Sequence, residues 1–212
     1  MENKKAVDKK TELKKRTITA LIIIPIIAGV IYAGGVVFNL AIALLLLQML
    51  REFFAMEKQT LYSPLAMATV FTTASCCLSL IYIEQLSVWA IIWLVCVIAA
   101  TDVGAFFAGR AFGKHKIWPK VSPNKSWEGA IGGFAFAALV SGWFGQPAYL
   151  GVIIGFVAQV GDFTESAMKR KFGVKDSGTL LPGHGGVLDR ADGYLFAAPL
   201  AAILHYAGVI TW

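Results

Sequence analysis

Residues Thr17–Leu50 read TITALIIIPIIAGVIYAGGVVFNLAIALLLLQML, a run without a single charge. A bilayer core of about 30 Å is crossed by around 20 apolar residues in an α-helix, so this run is overlong for one span and just sufficient for two. Gly34, Gly35 and Asn39 interrupt its middle. The spacing therefore predicts two helices, Ile18–Ala33 and Val36–Phe54, joined near the glycine pair. Outward from them lie five more apolar stretches, Pro64–Ile83, Ser87–Phe107, Ala130–Gly145, Tyr149–Phe163 and Tyr194–Ile210. The expectation is an all-α, polytopic integral membrane protein with about seven transmembrane helices. Composition agrees, because 57% hydrophobic and 15% charged residues in a 212-residue chain do not suit a water-facing surface. A soluble nucleic-acid binder, a disordered scaffold and a disulfide-stapled module are thereby excluded as readings, despite a formal charge of +6. That charge is expected to face lipid headgroups or a phosphate-bearing substrate, with no nucleic acid as partner.

All 19 Lys and Arg fall in four segments, Met1–Arg16, Arg51–Ser63, Arg110–Glu128 and Glu165–Asp192. With seven spans and a cytoplasmic N-terminus all four are cytoplasmic, as the positive-inside tendency asks. Fusing the first two spans would carry 12 of the 19 cations to the other side. The acid left outside is Glu84, expected in a very short turn. The chain thus divides into a basic cytoplasmic arm (1–16), N-terminal transmembrane helices (17–98) and a catalytic transmembrane region (99–212) with cytoplasmic loops 110–128 and 165–192. The arm precedes an apolar run that is long for a signal-peptide core, and reads as retained. Cys76, Cys77 and Cys96 lie in apolar runs without Cys-x-x-Cys spacing, which suits packing rather than zinc or a disulfide.

Ionisable groups at bilayer depth are costly unless paired or hydrated, and each is a functional candidate. Asp102, Asp162 and Asp189 all fall near one cytoplasmic boundary; single carboxylates bonded to neighbouring helices are the plainer alternative. If Asp162–Lys169 is helical, Asp162, Glu165, Ser166 and Lys169 share one face. Carboxylate and hydroxyl then stand near a cation, a mixture able to hold a divalent metal while Lys or Arg grips phosphate. Snorkelling at the membrane interface accounts for Lys169, Arg170 and Lys171 equally well. In Lys175–Asp192, Gly178, Pro182, Gly183, Gly185 and Gly186 preclude a continuous helix and offer backbone N–H groups to an anion; a transporter's gating loop is the competing account. Asp189 and Asp192 follow with Arg190 between them. His184 is either a phosphate or base contact or an interfacial turn residue. In the 110–128 loop, Lys114, Lys116 and Lys120 read as topology determinants, whereas Lys125, in a turn beside a helix start, reads as a site candidate. Ser126 and Glu128 could help to start that helix without forming the strict capping box.

The stretch Ser166–Asp192 closely resembles the signature of the bacterial phosphatidate cytidylyltransferases, or CDP-diacylglycerol synthases. Ser166, Met168, Lys169-Arg170, Lys175-Asp176, Gly178, Leu181-Pro182, His184-Gly185-Gly186, Val187, Asp189-Arg190 and Asp192 fall in register. Asp102–Phe106, Ser122–Gly129 and Gln159–Asp162 resemble the family's smaller motifs, so the likeness runs from about Ala99 to Trp212. Ala191 departs from the pattern, where a larger apolar residue or Thr is usual, and the chain is shorter than is usual on its N-terminal side.

The resemblance implies transfer of the cytidylyl group of CTP to phosphatidic acid, giving CDP-diacylglycerol and pyrophosphate in phospholipid biosynthesis. It places the enzyme in the bacterial cytoplasmic membrane with its site facing the cytoplasm. By resemblance Asp162 and Asp189 hold Mg2+, with a monovalent cation such as K+ a further candidate. Ser166, Lys169, Arg170, Lys175 and Arg190 contact phosphates. Asp102, Lys125, Asp176, His184, Gly185, Gly186 and Asp192 complete the expected substrate-binding and positioning set. CTP, phosphatidic acid and membrane lipid are the implied partners, and a homodimer is left open. A CTP-dependent lipid kinase and a small ion transporter are the rival readings. The CDP-alcohol phosphotransferase pattern is absent, since Asp192-Gly193 is not followed by Ala-Arg.

Overall fold

The computed structural model describes residues 2–57 and 63–212, and for residues 2–13, 15 and 57 the backbone alone. Lys58 in the Arg51–Ser63 segment, and most side chains of the basic arm, lie outside the described residues. The elements are α1 (Glu2–Ala33), α2 (Gly35–Glu57), α3 (Pro64–Leu86), α4 (Val88–Phe112), β1 (Lys116–Trp118), β2 (Ser122–Ser126), α5 (Trp127–Trp143), α6 (Ala148–Lys171), α7 (Leu188–Ala191) and α8 (Tyr194–Tyr206). Each of the seven expected spans falls on one helix, the last on the short α8. Among the described residues four are long and apolar enough to cross a membrane: Arg16–Ala33, Gly35–Met56, Pro64–Leu86 and Val88–Phe112. The shortfall from seven has a local cause. Helices α5 and α8 have 17 and 13 residues, and α6 carries its carboxylates and three consecutive cations in its last turns.

The chain is not wholly helical. Residues 110–128, read as a lysine-bearing loop, contain an antiparallel hairpin in which Lys116 pairs with Ser126 and Trp118 with Ser122. A turn at Pro119-Lys120, where Val121 N–H donates to Trp118 O at 3.1 Å, reverses the chain. The backbone of residues 2–16, most of the basic arm, is helical and runs on into the first expected span within α1.

Gly34 and Gly35 have φ of 57° and 49°, left-handed values that glycine tolerates, and they make the corner between α1 and α2. Glu84 lies in the last turns of α3 rather than in the connecting turn. It is buried in α3 and accepts a hydrogen bond from Gly35 N–H at 3.0 Å, satisfying a donor left free at the start of α2. The next reversal falls at Ser87, whose hydroxyl caps α4 at Trp89 N–H. Ser126 caps α5 in the same way at Gly129 N–H, while Glu128 turns instead to His115. Its own backbone N–H and the His115 ring hold the Glu128 carboxyl down at about 2.

Small residues let α4, α5 and α6 approach closely, as in membrane helix pairs generally. A Cβ on Gly132 of α5 would come 2.2 Å from the Ala108 Cβ, and one on Gly104 of α4 would come 2.6 Å from the Gly132 carbonyl oxygen. On α6, a Cβ on Gly151 would meet Ala137 O at 2.2 Å. Cys76 and Cys77 are buried free thiols in the apolar core beside Trp93, Leu94 and Ile83, in keeping with packing. The basic segments converge on one end of the bundle. Thr19 Oγ1 donates to Pro182 O at 2.9 Å, Lys125 pairs with Asp162, and Arg170 Nε donates to Val121 O at 3.2 Å.

Candidate active site

Helix α6 delivers the first half of the site. Ser166 Oγ donates to Asp162 Oδ1 at 3.3 Å one turn away, so the helical face expected for Asp162–Lys169 is present. Asp162 Oδ2 forms an ion pair with Lys125 of β2, whose Nζ also lies 4.1 Å from the centre of the Phe163 ring. Asp162, Lys125 and Asp102 of α4 line a cavity of about 220 Å³ that also touches Phe106, Asn124 and Gln159. Gly161 allows α6 to reach the segment before α8, since a Cβ there would stand 2.3 Å from Asp192 O. That contact draws Asp192 towards Asp162. Burial first, and then the Asp162 charge, push the Asp192 carboxyl up to about 7, against the Gly193 N–H that it accepts.

The second half is an ion triad. Lys169 Nζ lies 2.5 Å from Glu165 Oε2 and 2.6 Å from Asp189 Oδ1, with the Glu165 side chain wholly buried. Asp189 Oδ2 accepts from Ser177 N–H (2.8 Å), Ser177 Oγ (2.9 Å) and Gly186 N–H (2.7 Å). Burial raises the Asp189 carboxyl, but the Lys169 ammonium and the Gly186 and Ser177 amides outweigh it and hold the group below its ordinary range.

Electrostatics join the halves. Asp102 and Asp192 each repel Asp162, and Glu165 is repelled by Asp189 and Asp192. Asp102, Asp162, Glu165, Asp189 and Asp192 thus stand against Lys125, Lys169 and Arg190, an excess of carboxylate. That donor set suits a hard divalent cation. A carboxylate offers about four lone-pair sites, so Asp189 Oδ1 and both Asp162 oxygens keep acceptor capacity beyond their protein partners. Among the described residues no three His, Cys, Asp or Glu side chains are grouped closely enough to hold a metal ion by themselves, so a divalent cation here would need substrate oxygens to complete its shell.

Other expected residues are placed differently. Arg170 donates to two backbone carbonyls, Val121 O and Val174 O, each at 3.2 Å, and so ties the hairpin to the end of α6. Lys175 and Asp176 are exposed. Arg190 donates through Nε to His184 O at 3.1 Å, and the His184 Nδ1 is buried without a hydrogen-bond partner among the described residues. Gly185, at φ 81°, sits where a Cβ would stand 2.5 Å from Asp189 Oδ2. The glycine-loop amides, expected to meet phosphate, are directed at carboxylates of the chain itself: Gly186 N–H at Asp189, and Val187 and Leu188 N–H at Glu52 of α2. Sequence reasoning passed over Glu52, which looks like any acid at a helix end. Its one local signal is Gln48, a helical turn earlier, whose Nε2 donates to it at 2.8 Å. Glu165 was placed on the right face, but its burial against Lys169 was not foreseen.

A family model described as "Cytidylyltransferase family" matches residues 14–87 and 65–207. The chain is similar to proteins named phosphatidate cytidylyltransferase in three bacteria. It is 47% identical to that of Brucella suis biovar 1 over 138 residues (60% of this chain, 49% of the relative). For Helicobacter pylori the figure is 48% over 127 residues (55% and 47%), and for Bacillus subtilis 43% over 132 residues (58% and 49%). The chain spans about half the length of the curated relatives it matches.

Proposed function

The chain belongs to the cytidylyltransferase family, and from that premise we propose that it transfers the cytidylyl group of CTP to phosphatidic acid, releasing pyrophosphate and forming CDP-diacylglycerol. The observation that carries this reading is that the signature residues Ser166, Lys169, Asp189, Arg190 and Asp192 and the outlying Asp102, Lys125 and Asp162 make one mixed-charge cluster at one end of the bundle. Such a place can receive both a lipid phosphate and a water-soluble triphosphate. A phosphatidate oxygen attacks the α-phosphorus of CTP. The new P–O bond forms as the bond to the β-phosphate oxygen breaks, and pyrophosphate leaves with the electron pair. Lys125, Lys169 and Arg190 offset the phosphate charge, and catalysis is mainly positioning with charge stabilisation. The Ser166 hydroxyl, held by Asp162, and the His184 ring orient the phosphates. Asp162 and Asp189 would hold Mg2+, with a monovalent ion such as K+ beside it. When bound, that cation neutralises charge building on the phosphoryl oxygens.

Incubating the purified protein with labelled CTP and phosphatidic acid tests the reaction. Labelled CDP-lipid with pyrophosphate is expected; free CDP with a newly phosphorylated lipid would move the reading to a lipid kinase.

We further propose that all seven expected spans cross or enter a bacterial cytoplasmic membrane, with the N-terminus and the site on the cytoplasmic side. The convergence of the basic segments supports this sidedness. Lys116 and Lys171 are exposed. In a background with Cys76, Cys77 and Cys96 replaced, Lys116→Cys and Lys171→Cys are expected to react with impermeant thiol reagents from the cytoplasmic face alone. Labelling of either from outside in intact cells would reverse the topology.

A further inference from the structure

Glu52 lies near the end of α2 and is 5% exposed. A carboxylate there gains nothing from the helix dipole and is costly to bury unless donors surround it. Donors do: Val187 N–H reaches Oε1 at 3.0 Å and Leu188 N–H reaches Oε2 at 2.9 Å, and Ser177 Oγ, whose one proton is shared between Asp189 Oδ2 at 2.9 Å and Glu52, lies 3.2 Å from Oε2. All three belong to the glycine-rich segment, and with the Gln48 amide they enclose the group.

Two of that segment's glycines lie against this side chain, Gly186 against Ser177 as well. Neither Gly178 nor Gly186 has a positive φ, so backbone strain does not require them. What requires them is space. A Cβ on Gly178 would stand 2.9 Å from Glu52 Oε1, and one on Gly186 would stand 2.3 Å from Ser177 Oγ and 2.4 Å from Glu52 Oε2. The same short run holds Asp189, because Ser177 and Gly186 both donate to Asp189 Oδ2, and Ser177 Oγ touches both carboxylates.

We propose that Glu52 is a positioning residue for the cytidylyl-transfer site: from α2 it fixes residues 177 and 186–188, and through them the Asp189 carboxylate and its partner Lys169. Its kinetic consequence rests on the function proposed above; its structural consequence does not. Glu52→Gln keeps the shape but turns a donor towards the Val187, Leu188 and Ser177 donors, so the loop loses its anchor. Glu84 is the control, a second buried carboxylate that holds a backbone amide away from the site.

The experiment places a spin label at Leu180, 56% exposed on the loop, by Leu180→Cys in a background with the other cysteines replaced, and compares Glu52→Gln, Glu52→Asp and Glu84→Gln. Glu52→Gln is expected to sharpen the label's spectrum and to lower kcat by about tenfold or more, as loss of charge-assisted hydrogen bonds at a positioning group does. Glu52→Asp, with the charge withdrawn by one methylene, is expected to show both effects at smaller size. Glu84→Gln is expected to change neither. Should Glu52→Gln not fold, Glu52→Asp decides alone. A wild-type spectrum in either folded Glu52 variant, or equal sharpening in Glu84→Gln, overturns the proposal. Should the unsubstituted protein make no CDP-lipid, the function fails while the spectra still judge Glu52.

Discussion

Asp189→Asn is expected to lower turnover by roughly a thousandfold or more, the scale of losing one preorganised electrostatic group. The substitution keeps the side chain's size, but an amide has one acceptor end and one donor end. If its oxygen serves Ser177 and Gly186, its NH2 faces the Lys169 ammonium; if it is turned round, the NH2 faces three donors. Either way a buried donor meets a donor, at a cost of about 1–3 kcal/mol in stability. The charge that would help to hold a divalent cation is lost as well. The check is kcat with CTP and phosphatidic acid at limiting Mg2+, beside a thermal unfolding curve in detergent. Near wild-type kcat would remove Asp189 from the centre. A pH test accompanies it. The Asp189 carboxyl is held below its ordinary range, so its contribution to stability is present above that range and is lost as the pH falls through the lowered folded value. The Asn variant is expected to lack that component of acid sensitivity.

Lys169→Met is expected to be the most destabilising single change in the site, by about 3–5 kcal/mol, the usual result of removing one partner from a buried ion pair. It leaves the Glu165 and Asp189 carboxylates facing each other, with the Glu165 side chain at 0% exposure and that of Asp189 at 4%. Adding Glu165→Gln removes the unpaired charge while Asp189 keeps its three loop donors. The double variant is therefore expected to regain most of the lost melting temperature and none of the activity. Recovery of turnover together with stability would make Lys169 a packing residue and leave the phosphate contacts to Lys125 and Arg190.

The helices were legible in the sequence because apolar runs of fixed length have one economical structure in lipid. Thr17–Leu50 broke at Gly34-Gly35, as two short spans require. The face shared by Asp162, Ser166 and Lys169 was legible for a similar reason, since it depends on helical periodicity alone. Non-local pairing was not. That Lys125 meets Asp162, that Glu52 meets the glycine loop and that Glu84 meets Gly35 depends on how helices assemble, and an acid near a helix end reads alike in sequence whether it faces water or a buried amide. The hairpin escaped because Pro-Lys turns and lysine-rich segments suit a plain loop as well. The carbonyl partners of Arg170 were not legible either, because at a position adjacent to Lys169 it leaves the helix in another direction and meets Val121 and Val174.

The separation in sequence between Glu52 and its donors has a meaning for biogenesis. The Ser177 and Leu188 partners follow Glu52 by 125 and 136 residues. At synthesis rates of about 5–20 residues per second, α2 waits roughly 6 to 25 seconds for the groups that satisfy its buried acid. During that interval Glu52 has to be in contact with water at the membrane boundary, and the loop closes on it only after residue 188 has been made. Assembly of the candidate site thus follows the making of α2 by more than 120 residues, and a nascent chain arrested before Ser177 carries Glu52 without its loop.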